Sequence, residues 1–266
     1  MLNILQEIAE KTVQRVAEAK RNVPIAEMKR RAEGCRIKTD FPFEAAMKKK
    51  GLSFICEVKK ASPSKGIIAE DFPYIQIAKA YERAGADALS VLTEPYYFKG
   101  SNDYLREIRE HSGLPILRKD FTVDEYMIYE AKVLGADAVL FICSILTDAQ
   151  LAAYVQLAKS LGMSALVEAH DRMEVERALA CGTSIIGVNN RNLKDFSVDI
   201  NNAVRLRKMV PKEISFISES GIKTPQDVQV LVENGTDAVL IGETLMRSGN
   251  VQETLAQMKK GNEDAG

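Results

Sequence analysis

The chain has 266 residues, enough for one large α/β domain or two small ones, and its 46% hydrophobic and 27% charged residues are ordinary for a globular protein. Its 36 basic and 37 acidic residues leave a formal net charge of −1, so no global field gathers nucleic acid or an anionic membrane, and any anion site is local. No apolar stretch has transmembrane length, Met1 leads into no signal-peptide core, and Cys35, Cys56, Cys143 and Cys181 lack CxxC or metal-ligand spacing. The expectation is a reduced, cytoplasmic setting, Cys56 and Cys143 as buried thiols inside apolar strands, and no metal site.

In chain order, residues 2–20, 24–32 and 43–48 read as charged helices, giving an N-terminal helical extension over 1–50 that packs on the rest of the chain. Lys48-Lys49-Lys50 reads as a solvated helix end. Strands are then expected to begin near Ser53, Asp87, Pro115, Asp137, Ser164, Ser184, Ser215 and Asp237. Amphipathic segments lie between them, for example Tyr74 to Tyr81 and Asp148 to Val155. Near-continuous apolar strands such as Ala138 to Ile142 are what a parallel sheet buried on both faces requires. Eight strands, each followed by a helix, predict an α/β fold, a (β/α)8 TIM barrel over 51–266, with the chain forming a single domain overall. An open doubly wound sheet would want a GxGxxG turn after its first strand, and there is none.

An internal repeat supports the count. Ala84-Gly85-Ala86-Asp87-Ala88 recurs as Leu134-Gly135-Ala136-Asp137-Ala138 and as Asn234-Gly235-Thr236-Asp237-Ala238, with Cys181-Gly182-Thr183-Ser184 a degenerate copy. Each copy reads as a helix capped by Gly, a short turn, and a β-branched strand. A spacing of about 50 residues suits two βα units, hence repeated βαβα modules.

Polar residues cluster where these strands end, which in a parallel barrel is the mouth of the active site. Glu57 and Lys59 end strand 1 two residues apart and share a face; the pair is either structural or a catalytic pair with perturbed acidity. The loop Ala61 to Gly66 is either a surface turn or a ligand cover. Lys119 ends strand 3, where an ordinary strand-end lysine would snorkel and a desolvated one can act as a general acid. Glu168 ends strand 5, and burial is expected to raise its pKa and suit it to proton transfer; capping of the next helix falls more naturally to Asp171. Asn189, Asn190 and Arg191 end strand 6, offering a donor–acceptor pair and a fork for carboxylate or phosphate. Ser220-Gly221 after strand 7 and Gly242-Glu243 after strand 8 occupy the positions where such barrels build phosphate sites. Two lysines, several glutamates, Asn, Arg and a phosphate cradle describe acid–base chemistry on a small sugar phosphate.

The stretches Cys56 to Gly66, Leu117 to Phe121, Leu166 to Glu168, Gly187 to Leu193, Ser218 to Ile222 and Ile241 to Glu243, with Thr93-Glu94 and Phe98 to Ser101, resemble the indole-3-glycerol-phosphate synthase family. The resemblance spans nearly the whole chain. It implies a carboxy-lyase of tryptophan biosynthesis that turns 1-(2-carboxyphenylamino)-1-deoxyribulose 5-phosphate into indole-3-glycerol phosphate, with no cofactor and no metal, because rearomatisation drives the decarboxylation. It implies Lys119 as general acid in ring closure and Glu168 as base in dehydration, with Lys59 or Glu57 assisting and Asn189 on the departing hydroxyl. Arg191, Glu219, Ser220, Gly221, Gly242 and Glu243 would frame the phosphate and sugar; Lys59 and Ser62 would meet the carboxylate or phosphate. Phe98, Phe121 and Leu140 would pack on the aromatic ring. The expected partners are the sugar-phosphate substrate and other tryptophan-pathway enzymes, with no nucleic acid or membrane, in a monomer or weak homodimer.

Two rivals stand beside this. A phosphoribosylanthranilate isomerase-like barrel would need a Cys and an Asp as proton shuttles, but Cys56 points opposite to Ile55 and Glu57. A non-catalytic phosphate-binding barrel should have lost one of Lys59, Lys119 and Glu168, and all three are present.

Overall fold

The computed structural model describes residues 4–192 and 195–263. Leu2, Asn3, Leu193 and the end of the chain, which carry parts of the sequence expectations, lie outside the described residues. Three helices come first: α1 (Ile4–Asn22), α2 (Ile25–Glu33) and α3 (Pro42–Met47). Eight parallel strands follow: β1 (Ser53–Val58), β2 (Ala88–Leu92), β3 (Ile116–Lys119), β4 (Ala138–Ile142), β5 (Ser164–Ala169), β6 (Ile185–Asn189), β7 (Ser215–Glu219) and β8 (Ala238–Ile241). They pair in sequence and close through β1 and β8, with Ile55 opposite Leu240. Between them run α4 (Tyr74–Arg83), α5 (Asn102–His111), α6 (Glu125–Leu134), α7 (Asp148–Ser160), α8 (Arg172–Ala180), α9 (Asn201–Arg207) and α10 (Pro225–Glu233); α11 (Glu243–Met246) and α12 (Val251–Glu263) close the chain. This is the (β/α)8 barrel that the strand pattern predicts, and each strand begins within a residue of its expected start.

The repeat has a physical cause. Asp87, at the foot of β2, accepts the backbone N–H of Phe54 on β1 at 2.8 Å. Asp137, below β4, accepts that of Ile116 on β3 at 3.0 Å, and Asp237, below β8, that of Phe216 on β7 at 2.8 Å. Each aspartate thus satisfies a donor at the start of the neighbouring strand and sutures the two strands of one βαβα module. The fourth copy has Ser184 in this place, and its hydroxyl instead donates to Glu44 of α3 at 2.5 Å. The preceding glycine is the left-handed helix cap, as at Gly135 with φ 89°.

Alternation along the strands divides the core in two. Cys56, Val91, Val139 and Val167 face the helices, where α-helical side chains cover them. Ile55, Leu117, Leu166 and Ile217 face inward and fill the barrel, capped from below by Phe43 and Met47 of α3. One step up the same odd strands, in the same phase, stand Glu57, Lys119, Glu168 and Glu219. They form one barrel layer of four, built of charges above a layer of four aliphatics.

α1 is fastened beside the mouth. Arg15 donates to both carboxylate oxygens of Asp120, at 2.8 and 3.0 Å, and Lys20 pairs with Asp124 at 2.7 Å. Among the described residues, no helix is long and apolar enough to cross a membrane.

Candidate active site

The charged layer opens into a cavity of about 440 Å³ at the C-terminal ends of the strands. At its floor, Lys119 Nζ donates to Glu168 Oε2 at 2.7 Å and to Glu219 Oε2 at 2.9 Å. Asn189 Nδ2 donates to the other oxygen of Glu168 at 3.2 Å. Lys59 Nζ pairs with Glu57 Oε2 at 2.5 Å, as their shared face requires. Neighbouring strands make room for these side chains. Gly187 on β6 leaves the space that the Glu219 carboxylate fills, and Gly242 after β8 leaves that of Glu57; a Cβ at either would collide with carboxylate oxygens.

Two lysines face three glutamates, so a fully ionised floor carries one surplus negative charge, and the surroundings decide where it is relieved. Burial opposes ionisation of Lys119, yet the carboxylates of Glu168, Glu219 and Glu57 hold its ammonium charged well above the ordinary lysine range. Burial also works against ionised Glu168, but Lys119 and then His170 overcome it and bring the carboxyl down to about 2. For Glu219 burial wins; the Glu168 charge adds to it, the attraction of Lys119 does not compensate, and the carboxyl is pushed up to about 7. This corrects one expectation. Burial does not raise Glu168, because Lys119 sits against it; the raised carboxyl is Glu219.

Glu219 also stands elsewhere than expected. Its side chain belongs to the Lys119 cluster, not to the phosphate side. The phase of the strand carried the signal: Glu219 follows Ile217 by two residues, as Lys119 follows Leu117 and Glu168 follows Leu166.

The remaining candidates line two opposite arcs of the mouth. On the β2–β4 arc are Phe98, Phe121 and Leu140, with the two phenyl rings 6.0 Å apart and tilted. Phe98 is set by a residue that sequence reasoning left without a role. Buried Glu94 accepts the backbone N–H groups of Tyr96, Tyr97 and Phe98 at 2.8, 2.7 and 2.9 Å. On the β6–β8 arc, Ser220 and Gly221 turn the chain through consecutive positive φ values of 67° and 86°. Gly242 precedes α11. Thr244 Oγ1 donates to the Ile222 carbonyl at 2.7 Å and ties the two loops together. Glu243 gathers cations: Arg247 at 3.4 Å, Lys65 at 3.7 Å and Arg191 at 3.8 Å. Ser62 lies in a two-residue hairpin with Gly66 and lines the cavity between the arcs.

Asn190 is not brought to the cavity. It is buried, donates to Ser218 Oγ at 2.9 Å and to the Ser220 carbonyl at 3.0 Å, and so braces the loop from behind. Asp171 caps α8 by accepting the Glu174 N–H at 2.9 Å, which leaves Glu168 free for the cavity. Cys56 lies on the outer face of β1, and burial pushes its thiol far up, so it offers no proton shuttle of the isomerase kind.

A closed eight-stranded barrel whose C-terminal mouth presents lysine–carboxylate clusters defines a TIM-barrel enzyme. A family model described as indole-3-glycerol phosphate synthase matches residues 5–258. The chain belongs to that family, carboxy-lyases of tryptophan biosynthesis. An indole-3-glycerol phosphate synthase of Ruminiclostridium cellulolyticum is 54% identical over 256 residues, covering 96% of this chain and 98% of that protein. One from Lacticaseibacillus paracasei is 53% identical over 257 residues, covering 97% and 99%. Among solved structures, the thiamine phosphate pyrophosphorylase of Pyrococcus furiosus has a TM-score of 0.62 at 12% identity, covering 84% of this chain and 98% of that one. At that identity the likeness is one of fold alone.

Proposed function

We propose that the chain closes the ring of 1-(2-carboxyphenylamino)-1-deoxyribulose 5-phosphate, releasing one CO2 and one water to give indole-3-glycerol phosphate. The observation that carries this reading is the Lys119 ammonium held between Glu168 and Glu219 on the cavity floor. The phenyl group packs against Phe98, Phe121 and Leu140. The phosphate lies across the mouth, at Ser220, Gly221, Gly242 and Arg191, with Glu243 holding the cations beside it. Lys59 and Ser62 meet the carboxylate or phosphate from the β1 loop.

In ring closure the ring carbon bearing the carboxylate attacks the ketone carbon, and the nitrogen lone pair becomes an iminium. The carbonyl oxygen takes its proton from Lys119, which is kept charged for this step by its carboxylate neighbours. The bond to the carboxylate then breaks, and its electrons restore the aromatic ring and neutralise the iminium. In the last step a proton leaves the methylene carbon to Glu168, whose ionised state suits a base. The hydroxyl, held by Asn189, takes a proton from the Lys59–Glu57 pair and leaves as water.

The test is direct. Purified protein treated with EDTA is mixed with the carboxyphenylamino-deoxyribulose phosphate and indole fluorescence is followed. Growth of the indole signal is the expected result; bound substrate without product would replace the reading with a binding-only barrel.

A further inference from the structure

His170 lies two residues past Glu168, where β5 leaves the barrel, and among the described residues it is not part of the cavity wall. It is nevertheless fixed from several sides. Its Nδ1 is 3.0 Å from Glu174 Oε2, its backbone N–H donates to the same oxygen at 2.8 Å, and its carbonyl accepts from Asn202 Nδ2 at 3.0 Å. A carboxylate only accepts, so Nδ1 carries a proton. That leaves Nε2 as the one ring position with a choice. It is buried, has no hydrogen bond, and faces Glu168 Oε1 at 3.4 Å.

We propose that His170, oriented by Glu174, is a positioning residue that holds Glu168 ionised and aimed for proton abstraction. The inference rests on the reading of Glu168 as the base. A neutral ring would set a lone pair against an anionic oxygen; an imidazolium sets an N–H there. Charge on Glu168 and the proton on Nε2 therefore stabilise each other. When Glu168 takes the substrate proton, that attraction lapses and the imidazolium is no longer favoured.

The surrounding charges agree. The ring is faced by Glu168 from β5, Glu174 from α8 and Glu219 from β7, with the Lys119 ammonium beyond Glu168 and the buried Cys143 thiol against the Glu174 carbonyl at 3.5 Å. Burial alone would lower the imidazole pKa, but the Glu174 hydrogen bond and the charges of Glu168, Glu174 and Glu219 raise it above the ordinary histidine value.

The test compares H170A, H170N, E174Q and E168Q in the fluorescence assay across pH. For H170A, in which Glu168 stays ionised at neutral pH but loses its aim, the expected result is a neutral-pH kcat loss of about tenfold with KM within about twofold, and an acid limb moved upward by about one pH unit. E174Q keeps the ring in place and should move the limb the same way by less. The sequence has only two histidines, His111 and His170, so the H170N spectrum assigns the imidazole resonances. The His170 titration midpoint should fall in both E168Q and E174Q. Wild-type kcat and acid limb in both H170A and E174Q overturn the inference, and if H170A does not fold, E174Q and H170N decide it. An E168Q enzyme that still turns over removes the base assignment itself; an inactive E168Q with an unmoved H170A profile removes only His170.

Discussion

Glu168 and Glu219 share one cation: Lys119 Nζ lies within hydrogen-bonding distance of both carboxylates, at 2.7 and 2.9 Å. Both acids are buried, both accept from the same ammonium, and yet they are driven in opposite directions, one down to about 2 and the other up to about 7. The difference comes from both sides: Asn189 and the nearer His170 favour the Glu168 carboxylate, while burial and the charges of Glu168 and Glu57 raise Glu219.

Lys119→Ala removes the ammonium between these acids, and with it the proposed proton donor. It should lower kcat/KM by about 10²- to 10⁴-fold, the usual range for a general acid. Circular dichroism should stay that of the folded barrel, and the indole fluorescence assay gives the rate. Turnover at the parent level would remove Lys119 from the reaction.

Glu219→Gln addresses the raised carboxyl. In the parent, a pKa raised from 4.5 to about 7 contributes stability that is full below the unfolded value and lost as pH rises through about 7. Glu168 has the opposite sign; its contribution is present above 4.5 and lost as pH falls toward about 2. The variant should therefore lose the decline across neutrality, altering the stability change between about pH 5 and 8 by roughly 1–3 kcal/mol. Denaturant melts at a series of pH values measure it. Parallel profiles would mean that Glu219 is ionised throughout.

Glu94→Gln replaces one of two acceptor oxygens by a donor, so backbone N–H groups among Tyr96, Tyr97 and Phe98 lose their partner. The loss costs about 1–3 kcal/mol locally and loosens the Phe98 side of the mouth. KM should rise roughly three- to tenfold with kcat much less changed, read from initial rates. A drop in kcat at constant KM would place Glu94 in the chemistry instead.

Asp137→Ala tests the module suture. Asp137 holds the Ile116 N–H at 3.0 Å and also pairs with Lys38 at 2.6 Å and Arg109 at 3.0 Å. Its removal should destabilise the chain by about 3 kcal/mol, because a buried donor and two cations lose their acceptor together. Activity per folded molecule should be unchanged, since the residue lies at the foot of the barrel and the chemistry at its mouth.

The strands were legible because each is a short apolar run that stops at a charge, and the barrel followed from counting them. Lys59, Lys119, Glu168 and Asn189 were legible as strand-end residues, and the structure brings them to one cavity. Glu219 was readable as present but not as a neighbour of Lys119, since the two are 100 residues apart and meet only when the sheet closes. Glu94 was legible only as part of a resembling stretch, and neither it nor His170 had a readable role. They sit in the connections just past β2 and β5, where a side chain's direction depends on loop geometry that no periodicity encodes. The acidity of Glu168 was misread for a related reason: burial is visible in an apolar strand, while the cation that reverses its effect arrives from another.

The ring of Glu57, Lys119, Glu168 and Glu219 is anchored on four alternate strands, so its spacing is dictated by the girth of the sheet. No loop rearrangement can bring two of these anchors closer or move them apart. Adjustment of the reacting distances is left to side-chain length, and a Glu→Asp exchange on this ring withdraws a carboxylate by one methylene from a fixed post. On the proposed reading the chemistry is gauged by the backbone circumference, and the loops above it are left to choose what enters.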